Sequence, residues 1–184
     1  MGVHWDAVAI YWPAHVARDG TAYDLSHIDP LSFDVEFSEH KGKPARTVTV
    51  HVGFASHTFT CEEDQAGANS DAYPLAREER FFDLERYNWS KRLRQIVRDL
   101  PKSKCYFTEG DSFLTVRGDG VPPGMEYRVF FSVRRRNVNT VELVVRSAFL
   151  GKIDTAPRGR RKQPVGFRVI LLNTCDGRLI APPP

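Results

Sequence analysis

Imidazoles, thiols and guanidiniums are the side chains through which this sequence could do chemistry. His51 and His57 fall in RTVTVHVGFASHTFTC, Arg46 to Cys61, which alternates as a strand. Thr47, Thr49, His51, Gly53, Ala55, His57, Phe59 and Cys61 then share the face opposite Val48, Val50, Val52 and Phe54. Between the two imidazoles on that face stand only Gly53 and Ala55, and small residues let a ligand approach the backbone. Six strand residues span roughly 20 Å, too far for both histidines to hold one metal ion. Neither a helical His-x-x-x-His nor a paired Cys spacing is present, so no metal is expected, and no motif implies a cofactor. His57 suits general acid–base work, because imidazole titrates near neutral pH and strand ends beside loops are common catalytic positions. A surface histidine packed on Phe59 is the plainer reading. Cys105 has Lys102 and Lys104 beside it, which would lower a thiol pKa, but no histidine is paired with it by spacing. A buried structural thiol explains it more simply.

The guanidiniums form the denser constellation. From Arg128 to Arg168 the bases are Arg128, Arg134, Arg135, Arg136, Arg146, Lys152, Arg158, Arg160, Arg161, Lys162 and Arg168, opposed only by Glu142 and Asp154. Acidic residues gather earlier, in Asp29 to Glu39 and Glu62 to Asp71. Such asymmetry points to a polyanion, most often nucleic acid, although a solvated basic surface would share it. The stretch YRVFFSVRRRNVNTVELVVRSAF, Tyr127 to Phe149, reads as a hairpin with its odd-numbered residues facing the core. A register with Val133 opposite Val141 sets Arg128 against Arg146, unfavourable unless an anion sits between them. Arginine donates in pairs to phosphate, and Tyr106, Phe130 and Trp89 are candidates to stack on bases. The expected function is therefore binding of RNA or single-stranded DNA on an arginine-rich sheet face. Two alternatives are a metal-independent ribonuclease using His57, Tyr106 and Arg146, and a module that docks an acidic protein partner.

Around these residues the chain reads as α+β: an N-terminal β-hairpin region, then one main helix packed on an antiparallel sheet. Leu31 to Phe37 and the Val48 to Phe54 run make the first hairpin, separated by the breakers Gly42 and Pro44. Residues 1–62 form the β-rich part, 63–80 a polar loop, and 81–184 the helix and sheet, possible within one continuous domain. Asp83 is an acceptable N-cap, and Trp89, Leu93, Ile96, Val97 and Leu100 lie on one stripe that Pro101 ends. KCYFTEGDSFLTVRGDG suggests two short strands, and VGFRVILLNT a last, central one.

The 184 residues suffice for one core, and the formal charge is only +3. Three widely spaced cysteines argue against a disulfide framework and for a reducing compartment. Neither a signal peptide nor the roughly 18 apolar residues of a membrane span are visible, so the expectation is a soluble cytoplasmic protein with no membrane partner. Taken together, HVGFASHTFTC, FDLERYNWSKRLRQIV, KCYFT and GFRVILLNT resemble a family of short, uncharacterised bacterial proteins, from Tyr23 onward. A looser likeness, in order of elements over Asp83 to Thr174, is to RelE/BrnT-like toxin ribonucleases. That likeness implies Arg128, Arg146 and Arg168 steadying a scissile phosphate while His57 or Tyr106 moves the proton. Its β-rich N-terminal third departs from that pattern.

Overall fold

The structure, a computed structural model, describes residues 8–40, 42–65, 71–76, 78–108, 112–153, 164–178 and 180. Two short antiparallel ladders flank the main sheet: β1 (His15–Val16) with β2 (Ala22–Tyr23), and β5 (Thr60–Cys61) with β6 (Phe81–Phe82). The sheet itself comprises β3 (Leu31–Phe37), β4 (Arg46–Phe54), β7 (Lys104–Phe107), β8 (Ser112–Arg117), β9 (Met125–Asn137), β10 (Thr140–Lys152) and β11 (Pro164–Gly166). Its order is β11-β7-β8-β9-β10-β4-β3. The described helices are α1 (Leu84–Ser90), α2 (Leu93–Asp99) and α3 (Phe167–Cys175).

The fold is α+β, as the runs of residues predict, but its curled sheet is mixed rather than purely antiparallel. β3 and β4 do form the expected hairpin, with Val35 opposite Val48. β4 then lies parallel to β10, Thr49 beside Thr140 and Phe54 beside Val145. A parallel pair needs a long crossover, and the chain between β4 and β10 supplies it through α1, α2 and three further strands of the sheet. Alternation puts Val48, Val50, Val52, Val141, Leu143 and Val145 on one face, all fully buried. They join Tyr127, Phe131, Leu93, Val97 and Phe167 in a single apolar cluster that runs from Leu25 to Cys175. Tyr73, from the stretch expected as a polar loop, packs edge-on against Phe59 in the same cluster.

Three expectations are corrected. The single helix is two. Asp83 does cap it, accepting from Arg86 N at 3.0 Å, but the hydroxyl of Ser90 donates back to Tyr87 O (2.7 Å) and meets His27 Nε2 (2.6 Å). Such back-bonding bends a helix, and Arg92 N closes on Trp89 O as a tighter turn before α2 resumes. The apolar tail is not a central strand: it pairs only through Pro164–Gly166 and then coils into α3. The buried side chains there are Phe167, Ile170, Leu171 and Cys175, a helical spacing that a continuous apolar run conceals. The strand that was to carry both histidines ends at Phe54. Thr58 Oγ1 then bonds Ala55 O and Thr60 Oγ1 bonds Ser56 O, each at 2.8 Å, holding Ser56–Thr58 in a 3₁₀ turn.

Candidate functional site

The face of the sheet opposite the core is laid out in cross-strand rows, since residues directly opposite each other point the same way. One row runs Ser32, His51, Glu142, Arg134 across β3, β4, β10 and β9. The next joins Ser112, Ser132, Val144 and Gly53, and the third Tyr106, Leu114, Phe130 and Ser147. A fourth holds Val116, Arg128 and Phe149. Arg128 and Arg134 thus share a face, as alternation predicts. Arg146 joins them, donating to Ser112 Oγ at 2.5 Å across β9.

The expected register does not hold. Val133 faces Leu143, two residues from the predicted partner, and Arg128 faces Phe149 instead of Arg146. The physical reason is a pair of one-residue irregularities in the β9–β10 ladder: Arg136 is the extra residue of β9 between the Thr140–Asn137 and Val141–Arg135 pairs, and Arg146 is the extra residue of β10 between the Val145–Phe131 and Ser147–Phe130 pairs. A two-residue slip preserves the faces, whereas one inserted residue exchanges them. Beyond Arg146 the even positions Ala148 and Leu150 therefore turn to the core, and Ser147 and Phe149 to the other side. Phe149 stacks on Phe130 with ring centroids 5.7 Å apart and planes within 17°.

Most of these guanidiniums meet groups of the protein itself. Arg134 Nε lies 2.5 Å from Glu142 Oε2, and Arg136 Nη1 lies 3.9 Å from Oε1 of the same, mostly buried carboxylate. Arg128 bonds Glu126 (2.7 Å) and donates to Lys152 O (2.7 Å). Arg135 points away and bonds only weakly, to Asn137 O at 3.4 Å. Arg168, on a helix and not a strand, lies over the Phe37 ring at 4.3 Å and donates to the Glu36 carbonyl, which separates it from the other arginines. Among the described residues no carboxylate lies within ion-pair distance of Arg146. Arg158, Arg160, Arg161 and Lys162 lie outside the described residues.

His57 sits elsewhere, at the opposite edge of β10, in a cavity of about 490 Å³. Burial, and next the nearby Arg80 guanidinium, hold its pKa down at about 4, so the ring is uncharged at neutral pH. Its Nε2 is 3.8 Å from Glu78 Oε2. Arg86 donates to His57 O (3.3 Å), Thr60 O (2.9 Å) and Gln65 Oε1 (2.8 Å), with its guanidinium carbon 5.3 Å from the centre of the Phe149 ring. Arg80, almost wholly buried, bonds the hydroxyl and carbonyl of Thr60. The structure therefore brings His57 to Ser147 and Phe149, while the Arg146 guanidinium reaches across β9 in the other direction. Tyr106 stands three strands away from the cavity, half-buried on β7. Sequence reasoning missed Arg80 and Arg86. The available signal was Arg86, three residues past a helix cap and so one turn from the residues it anchors. Cys105 is buried, as the simpler reading of it held, and so are Cys61 and Cys175. Among the described residues no cluster of His, Cys, Asp or Glu is arranged to hold a metal, and no helix is long and apolar enough to cross a membrane.

Fold and site together define an α+β protein with a curled seven-stranded mixed sheet, one face apolar and the other carrying arginines, aromatic rings and a histidine cavity at its margin. The chain belongs to the YjaZ family, which matches residues 13–175, in keeping with the resemblance to short bacterial proteins. The likeness to toxin ribonucleases has no counterpart in that match. No curated protein and no solved structure matches the chain.

Proposed function

We propose that this protein binds single-stranded nucleic acid, RNA by preference, across the face of β8, β9 and β10 that turns away from the core. The observation that carries the reading is the shared placement of Arg128, Arg134 and Arg146 around Phe130, with Tyr106 in the same row. Guanidiniums supply paired donors for phosphates, and aromatic rings between them supply sequence-tolerant stacking for bases. Arg146 is the anchor: half-buried, fixed by a neutral hydroxyl, and still charged. A phosphate there would offset a cation that has no carboxylate within ion-pair distance among the described residues. A duplex suits this face less well, because its bases are stacked inward and out of reach of Phe130.

Cleavage is supported less well than binding. His57 has the uncharged imidazole that a general base needs, but Arg80 and Arg86 are committed to backbone carbonyls beside it. Glu62 and Asp83, 3.6 Å from Arg80 and Arg86 respectively, already offset those cations, and Glu85 lines the same cavity, so a scissile phosphate finds no net positive charge there.

The test is fluorescence anisotropy with a labelled RNA of about 10 nucleotides and a duplex DNA, between about 50 and 200 mM salt. Tighter, salt-dependent RNA binding that weakens in Arg146→Ala and Phe130→Ala is expected. Absence of binding to either nucleic acid at low salt would refute the reading and turn attention to an acidic protein partner. Metal-independent RNA cleavage in EDTA that disappears in His57→Ala would establish the ribonuclease reading instead.

A further inference from the structure

The His57 cavity adjoins the arginine face, and Phe149 belongs to both: it stacks on Phe130 and also lines the cavity. The two regions differ in electrostatic character. On the sheet face the anchor is the cation Arg146. In the cavity Arg80 and Arg86 are outnumbered by Glu62, Asp83 and Glu85, and both guanidiniums are engaged, Arg80 by Thr60 and by Glu62 at 3.6 Å, Arg86 by the His57 and Thr60 carbonyls, Gln65 and Asp83 at 3.6 Å. A phosphate is disfavoured there. A flat, uncharged group that donates hydrogen bonds to carboxylates is favoured, and the volume of about 490 Å³ falls within the size range of small-ligand sites.

We infer that this cavity receives one unstacked base of the bound strand, and that it selects bases carrying an exocyclic amino group. The inference rests on the nucleic-acid reading above and adds a specificity to it. Glu and Asp accept from the amino group of cytosine, and uracil presents a carbonyl oxygen at the same position, which a carboxylate repels. His57, uncharged, offers one donor and one acceptor to the rest of the base edge. Phe149 and the overlying Arg86 form the planar wall. The phosphates stay on the sheet face, and the base enters the acidic cavity at its margin.

The experiment compares cytidine-only and uridine-only RNAs of about 10 nucleotides on the full chain and on the Glu62→Gln/Glu85→Gln variant. Both carboxylates are solvent-exposed, and circular dichroism checks that the variant is folded. The wild-type chain is expected to bind the cytidine RNA about tenfold more tightly. In the variant the cytidine RNA should lose its carboxylate acceptors and the uridine RNA its repulsion, so the ratio between them should fall towards one. Equal binding of the two RNAs to the wild type, or a ratio unchanged in the variant, overturns the inference and leaves nucleic-acid binding standing. No binding of either RNA at low salt overturns both.

Discussion

Glu142 competes with any phosphate for the arginines of this face, and Glu142→Gln measures that competition. The carboxylate is 11% exposed, lies 2.5 Å from Arg134 and 3.9 Å from Arg136, and is the only acidic residue between Arg128 and Lys152. Glutamine keeps the shape and one acceptor while removing the charge. Arg134 is 46% exposed, so much of the pair's Coulomb energy is already screened, and the expected destabilisation is about 1 kcal/mol. For a chain of this length that lowers Tm by about 2–4 °C. The binding effect is larger and of opposite sign. Each arginine made available to a single strand steepens the dependence of log K on log salt by about 0.7, hence about 1.4 for two. Over a fourfold rise in salt this is an additional loss of about sevenfold, with a matching gain at the low-salt end. Anisotropy titrations at several salt concentrations give the slope directly. A folded variant with the wild-type slope and no gain at low salt would show that Arg134 and Arg136 do not meet the ligand.

Three other substitutions or conditions probe separate parts of the structure. In Gly151→Ala the new Cβ would lie 2.9 Å from Arg128 Cζ, so that side chain must swing and release Glu126 and Lys152 O. A loss of about 1 kcal/mol is expected, and it should vanish in an Arg128→Ala background; an equal loss in both backgrounds would refute the contact. Because the folded pKa of His57, about 4, lies below its unfolded value, the unfolded chain binds the extra proton as pH falls below about 6.5. Stability should then decline from pH 6.5 to 4 by an amount on the order of 3 kcal/mol at most, and His57→Gln should flatten that limb in urea titrations at successive pH values. Burial pulls the pKa of His15 and His27 down as well, so part of the slope should persist; an unchanged slope would contradict a buried neutral His57. Finally, Cys61, Cys105 and Cys175 are each no more than 2% exposed, and burial pushes the Cys61 and Cys175 thiols up. A thiol reagent at neutral pH should react with them only slowly until the chain is unfolded, and rapid modification of any in the native protein would contradict their burial.

What could be read from the sequence was what local periodicity encodes. The β3–β4 hairpin, the β7–β8 pair, the Asp83 cap and the common face of Arg128 and Arg134 all follow from spacing over a few residues. The parallel β4–β10 pairing depends on contacts separated by most of the chain, and no window contains it. α3 was hidden because Phe167 to Leu172 is nearly all apolar, so periods of two and of 3.6 fit it equally well. Glu142 stood out as an isolated acid among bases, but its partners depend on a register set by irregularities in the β9–β10 ladder. The His57 cavity was illegible for a similar reason. It is assembled from the 3₁₀ turn at His57, the stretch holding Glu62 and Gln65, Arg80, the start of α1 and the far half of β10, segments that meet only in space.

The irregularity at Arg146 leaves β10 with two opposite binary codes spliced at one residue. Deleting that single codon would keep the composition almost intact, yet it would ask Ala148 and Leu150 to exchange sides with Ser147 and Phe149, exposing aliphatic surface and burying a hydroxyl. A family whose members vary in length should therefore tolerate gaps in its connecting turns far better than here, where one lost amino acid inverts the inside and outside of a strand.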